Sequence, residues 1–301
     1  MSDASLSDAG AASPPLAATR PARLRLGPLA PWLLALPPVA FMLAFYALPV
    51  LGMLSRAVLD PGWTLVHFQA LGDDPVFQRV LWNTLYLAVL VTLGTLLLGY
   101  PVALLLVRAR RMAPLILLLI LLPFWTSVLV RSYAWMVLLG RHGLVNEAML
   151  ALGLLDRPLR ILNTPLATQI AMIHILLPYM ILPIANTLRQ IDHSLLRAAA
   201  GLGASPWSTF RQVVLPLSLP GVAAGTLLVF VLSLGFYITP ALVGGPRDTT
   251  LSMLISQQVD QLNWAYAACL SAVLLATALV IIGVFAKICG LGGGAFRMSA
   301  R

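Results

Sequence analysis

The sequence predicts an all-α, polytopic membrane protein with six transmembrane helices, and three observations carry that prediction. The 301 residues are 60% hydrophobic and only 10% charged, where a soluble domain carries roughly 25% charged residues. Six windows are apolar for long enough to cross a bilayer core, which takes about 20 residues of helix. None of them alternates with the period of two that marks a barrel strand. Lipid also leaves no backbone group unpaired, so the spans are helices.

Taken in order, residues 1–28 are rich in Ala, Ser and Pro and read as a disordered cytosolic tail. The first span runs from Leu29 to Leu54; its apolar run is too long for the core of a cleaved signal peptide, and five further spans follow it. The second runs from Leu81 to Val107, the third from Ala113 to Leu139, and the fourth from Leu166 to Leu188. The fifth runs from Leu217 to Val243 and the sixth from Ala265 to Gly290, so the transmembrane domain covers 29–290 and a second cytosolic tail covers 291–301. Pro37, Pro38, Pro49, Pro123, Pro178 and Pro183 fall inside spans and predict kinks that packed neighbours tolerate. Cys269 and Cys289 both fall in the sixth span, separated by about 30 Å of helix, too far for a disulfide.

Arginine placement sets the orientation. With a cytosolic N-terminus, the inner segments carry twelve of the nineteen basic residues and three of the ten acids, and the outer segments carry seven of each. The whole net charge of +9 then lies inside, the positive-inside pattern, with both termini cytosolic. Arg20, Arg23, Arg25 and the run from Arg108 to Arg111 are anchors that fix topology, so the basic composition does not imply a nucleic-acid partner.

Catalytic and nucleotide-binding patterns are missing from the chain: there is no G-x-x-x-x-G-K-[ST], H-E-x-x-H, C-x-x-C or G-x-S-x-G. His67, His142, His174 and His193 share no paired spacing. His174, at membrane depth, is a packed, hydrogen-bonded imidazole or a lining group. The terminal GLGGGAF lacks the lysine and helix of a phosphate loop. The chain is thus expected to have no catalytic set, no metal site and no cofactor of its own, and uphill transport would draw on a partner or an ion gradient. Arg131 is the exception to spans almost free of charge; it either snorkels to the outer interface or lines a path. A mid-membrane acid, which a proton-coupled carrier would need, is missing, and this favours a partner ATPase.

Residues 190–216, between the fourth and fifth spans, carry features that a bilayer does not demand. Asp192 is an N-cap for a short helix whose apolar face is Ile191, Leu195, Leu196 and Ala199. Gly201 and Gly203 end it, Gly203 suiting the left-handed position after a helix. Ser205 and Pro206 are an N-cap and first-residue pair for a second helix. That helix sets Trp207, Phe210 and Val214 on one face, and Pro216, with Pro220 beyond, closes it before the next span. Large apolar groups in a cytosolic loop mark either an interfacial helix lying on lipid or a docking surface for a protein, and the tight punctuation, without a long Lys/Arg-rich face, favours a compact knob for a protein groove.

The stretch RAAAGLGASPWSTFRQVVLP resembles the EAA loop of the permeases of ATP-binding-cassette importers. The match is Arg197, Ala198 and Ala199, then Gly203, then Val213, Leu215 and Pro216, with Arg197 standing where the family carries glutamate. LWNTLYLAVL from Leu81 resembles the start of the permease core; PFWTSVLVRSYAWMVLLGRHGLVNEAML from Pro123 and FYITPALVGGP from Phe236 resemble the polyamine-type branch, the first of the two permeases of spermidine and putrescine importers. The resemblance implies a type I importer transmembrane domain in a bacterial inner membrane. It implies a partner pair of ATPase subunits holding ATP and magnesium, a second permease, and a periplasmic or extracellular solute-binding protein. The loop would be the coupling helix that sits in the ATPase cleft. Relatives of this branch also serve opines, phosphonates and other small organic solutes. For a cationic solute, aromatic faces and acids are expected along the path; Arg131, Tyr133, Trp135, Tyr237, Asp260 and Trp264 are placed there, or in an interfacial aromatic belt and solvated outer loops.

Overall fold

A computed structural model describes residues 30–60, 62–109 and 111–288. The tails at 1–28 and 291–301, Cys289 and the glycine run after it lie outside the described residues. Every regular element among the described residues is helical.

The described residues up to Val50 form one unit and those from Leu51 another. In the first, α1 (Ala30–Met42) contains Pro37 and Pro38 and continues through a π turn, Leu43–Ala47, into the start of α2 (Leu48–Leu59), most of which belongs to the second unit. The wide turn has a local cause. Pro49 has no N–H to give to the preceding turn, and the turn closed by the Leu48 N–H on the Leu43 carbonyl absorbs the missing bond.

The second unit continues with α3 (Val66–Asp73), α4 (Pro75–Arg108), α5 (Ala113–Leu121), α6 (Val128–Leu138), α7 (Leu144–Ala151) and α8 (Pro165–Arg189). It ends with α9 (His193–Gly201), α10 (Pro206–Thr209), α11 (Leu215–Leu234), α12 (Ile238–Val243), α13 (Leu251–Asp260) and α14 (Trp264–Ile288). Its centre is the mutual packing of α4, α8 and α11, with Val91, Met172, Met180, Ile181, Ile184 and Val229 fully buried. Small residues permit the close approach. A Cβ on Gly221 of α11 would lie 2.8 Å from the Pro183 carbonyl oxygen of α8, and one on Gly225 would lie 2.9 Å from the Met180 sulfur. Together they make a G-x-x-x-G face, which suits lipid because dispersion rather than water expulsion drives helix association there. Two of the buried hydroxyls are satisfied within their own helices: Thr92 donates to the Ala88 carbonyl at 2.6 Å and Ser233 to Val229 at 2.7 Å. A second cluster joins α13 and α14 to α3 and α4 through Leu71, Phe77, Leu251 and Leu270.

Among the described residues five helices are long and apolar enough to cross a membrane, and a sixth span results if one bent pair is counted. That pair corrects the third expected span. Ala113–Leu139 is not one helix: α5 runs through a 3₁₀ turn, Leu122–Trp125, and α6 leaves at 101°. The break is chemical, since Pro123 sits in the turn and Ser127, in extended conformation, caps α6 by accepting from the Leu129 N–H at 3.2 Å. The fifth expected span, Leu217–Val243, is also corrected at both ends. Helix runs from Pro206 to Leu234 through a π turn at Phe210–Val214, and the chain breaks after Gly235 before α12. Pro178, Pro183 and Pro220 lie inside helices that continue past them.

Candidate functional site

The loop after α8 is built from local bonds that fix each joint. Asp192 caps α9, its Oδ1 accepting from the Ser194 N–H at 2.8 Å. Hydrogen bonds from Ser194, side chain first and backbone second, hold the Asp192 carboxyl below the usual carboxylate range. Because the folded value is the lower one, the cap contributes above the ordinary carboxylate pKa and is lost as pH falls through the lowered value. At the other end Gly203 is left-handed at φ 79°. Its N–H donates to the Ala200 carbonyl and the Ala204 N–H to the Ala199 carbonyl, both at 3.0 Å, which together form a Schellman closure. Ser205 then caps α10 by accepting from the Ser208 N–H at 3.2 Å, with Pro206 as first helical residue.

The expected apolar face divides in three. Trp207 is 70% exposed. Phe210 is half-buried, stacked on Trp207 at 5.6 Å and edge-on to Tyr100 of α4 at 6.0 Å. Val214 is buried in the α4–α8–α11 core and is not part of a docking face. The π turn supplies the reason: it rotates the helix between Phe210 and Leu215, so the spacing of seven residues no longer returns to the same side. Pro216 does not close the helix; it sits at the second position of α11, where the π turn accommodates its missing N–H. Tyr100 also pairs with the Ser218 hydroxyl at 2.9 Å, tying α11 to α4 just after the knob. Arg197 and Ala198 are exposed, Ala199 and Val213 half-buried, and Leu215 half-buried. Leu202, 89% exposed beside the Schellman turn, is an apolar tip the sequence pattern did not single out.

Where α6 meets the middle of α8, part of the expected path set comes together. Arg131 and Trp135 share α6. Trp135 Nε1 donates to His174 Nδ1 of α8 at 3.2 Å, with the rings edge-on at 5.5 Å; His174 is therefore hydrogen-bonded, but its ring is exposed rather than packed and lines an apolar cleft with Pro123 and Leu177. Arg131 lies within electrostatic reach of His174 and Tyr179, its Nε buried without a hydrogen-bond partner among the described residues. Tyr179 packs on Phe124 of the 3₁₀ turn at 5.1 Å. Ser132 of α6 and Thr239 of α12, both buried, bond at 2.8 Å and join the broken third span to the segment after α11. Tyr133 and Tyr237 are exposed on α6 and at the start of α12. Asp260 and Trp264 sit at the α13–α14 turn, outside this group. Ser132, Thr239, Tyr179 and Phe124 carry no sequence signal, since only the 101° bend brings their elements together.

Comparison with known proteins agrees with this geometry. Residues 16–287 match the family described as binding-protein-dependent transport system inner membrane component. The chain is 36% identical over 214 residues to the spermidine/putrescine transport system permease protein PotB of Haemophilus influenzae, covering 70% of this chain and 75% of that protein. It is 38% identical over 200 residues to PotB of Escherichia coli K12, covering 66% and 73%. It is 31% identical over 250 residues to the molybdenum transport system permease protein ModB of Mycobacterium bovis, covering 81% and 90%. The fold is similar to a chain of a bacterial ABC transporter involved in import of the acidic polysaccharide alginate, with TM-score 0.72, 20% identity, and coverage of 87% of this chain and 95% of that one.

Proposed function

Since the chain belongs to the family of binding-protein-dependent transport system inner membrane components, we propose that it is the permease subunit of an ATP-driven importer taking up spermidine, putrescine or a related small organic solute by alternating access. The solute reading rests on the PotB relatives. The coupling reading rests on one observation: a capped helix, a Schellman corner and a second helix that runs without interruption into α11. In this reading ATP and magnesium sit on a separate pair of ATPase subunits, whose cleft receives Trp207 and the exposed side of α9. A second permease completes the path, and a solute-binding protein docks outside. Both termini are cytosolic, the orientation that the arginine distribution favours. The Arg131–Trp135–His174 group lies toward the outer half of the path. Purification from native membranes, followed by reconstitution in proteoliposomes, tests the proposal. An ATPase should co-purify, and labelled spermidine should accumulate only with ATP in the lumen that stands for the cytosol. Uptake without any ATPase would overturn it in favour of an ion-coupled carrier.

A further inference from the structure

The loops at the α8 end remote from the coupling loop hold two arginines that the path does not use. Asn146 of α7 is fully buried and acts as a clamp. Its amide nitrogen donates to the Gly140 carbonyl at 2.9 Å and the Leu159 carbonyl at 3.0 Å, and its oxygen accepts from the Leu159 N–H at 2.9 Å. Gly140 and Leu159 immediately precede Arg141 and Arg160, so one side chain fixes the backbone under both. Asn163, left-handed at φ 62°, donates its N–H to the Val243 carbonyl of α12 at 3.1 Å and pins the back of the same loop. Between these segments lies an open cavity of about 440 Å³ lined by Leu139, Arg141, Arg160, Ile161, Leu162 and Asn163. No acid lines it, and among the described residues neither guanidinium has an ion-pair or hydrogen-bond partner.

We propose that this cavity is a socket for a carboxylate side chain of the docking solute-binding protein, an inference that rests on the importer reading. Two fork-shaped donors over a preformed backbone suit a carboxylate. The 25-residue α8 separates the socket from the coupling loop by about 37 Å, which places it on the face such a protein approaches. A polyamine is itself cationic and would be repelled, so the socket serves the protein rather than that solute. Its back wall touches α12, and Ser132 and Thr239 join α12 to α6, so docking there bears on the elements around Arg131.

The test uses the assembled transporter in phosphatidylcholine nanodiscs with its purified solute-binding protein, and reads the concentration of that protein giving half-maximal stimulation of ATP hydrolysis. Arg141→Glu combined with Arg160→Glu should raise that concentration about tenfold and flatten its dependence on salt, leaving the unstimulated rate unchanged. Arg141→Lys with Arg160→Lys, which keeps the charge, should stay within about threefold. Wild-type stimulation with no shift in the Glu variant overturns the socket and leaves the importer standing. A wild-type transporter that the binding protein does not stimulate overturns the importer reading itself. A Glu-variant defect seen only with phosphatidylglycerol present would assign the cavity to a lipid headgroup and overturn the proposal.

Discussion

Replacing Gly221 by alanine probes the packing on which the rest of the architecture depends. The added Cβ would stand 2.8 Å from the Pro183 carbonyl oxygen and 2.7 Å from the Thr187 Cβ, where ordinary contact begins at 3.4 Å. The Thr187 hydroxyl can turn away, but the carbonyl belongs to the α8 backbone, so α11 must move out by about half an ångström along a face of close-packed side chains. Overpacking of this kind costs about 1–3 kcal/mol, and the rigid obstacle puts Gly221→Ala at the upper end, near 3 kcal/mol. Gly225→Ala meets the movable Met180 sulfur at 2.9 Å and the rigid Met180 carbonyl oxygen only at 3.2 Å, a milder clash that should cost about 1 kcal/mol. Thermal unfolding of the detergent-solubilised protein should therefore rank wild type above Gly225→Ala and that above Gly221→Ala. Equal melting temperatures for all three would refute the close crossing of α8 and α11.

Gly203→Ala meets no atom within 4 Å but keeps φ at 79°; it should destabilise the loop by about 1 kcal/mol, while Gly203→Asn should be near neutral, both measured as protease sensitivity of the segment 190–216. Trp207→Ala should leave the melting temperature almost unchanged, because the ring is exposed, yet weaken ATPase docking at least tenfold. Phe210→Ala should lower both, by about 2 kcal/mol in stability, since its ring packs on Tyr100; reversed effects of the two variants in paired melting and pull-down assays would contradict the division of the face. Arg197→Glu should alter stability by less than about 0.5 kcal/mol, Arg197 being exposed, so a change in its ATP-coupled uptake reports on the partner; a large fall in melting temperature would show an internal role instead.

The loop 190–216 was legible almost residue by residue because its determinants are local. Asp192, Gly203, Ser205 and Pro206 each bond within five residues, and each does what its type and position predicted. Hydropathy located the spans for the same reason: burying apolar surface depends on composition over about 20 residues. What failed was the inference from proline. Pro216 was expected to stop a helix and instead provoked a π turn, as Pro49 did, because a wider turn costs less than leaving the backbone groups of a broken helix unpaired in lipid. The cluster of Arg131, Trp135, His174 and Tyr179 was only half legible. Two of its members were expected on the path, but their meeting depends on the direction α6 takes after Ser127, which no local pattern specifies. The Asn146 clamp was invisible in sequence for the same reason, its partners lying six and thirteen residues away across an irregular loop.

The π turn has a mechanical consequence. If Pro216 broke the chain, movement of the knob would dissipate at a hinge; instead Pro206–Leu234 is one run of 29 helical residues, about 43 Å long. The tight crossing at Gly221 and Gly225 is its natural pivot, with about 21 Å of helix from Trp207 to Gly221 and about 20 Å from Gly221 to Leu234. Arms of equal length would carry a displacement at the Trp207 end to the Leu234 end undiminished and in the opposite sense, and there Gly235 leads into α12, which Thr239 bonds to Ser132 of α6. Spin labels on cysteines replacing the exposed Arg211 and Gly235, in a background lacking Cys269 and Cys289, should lie about 36 Å apart along the helix and keep that distance to within about 3 Å between ATP-bound and nucleotide-free transporter. A larger change would place a hinge inside the rod between Arg211 and Gly235, most naturally at Pro220, which lies inside the helix, and the transmission from Trp207 to Ser132 would then have to run through Tyr100 and α4 instead.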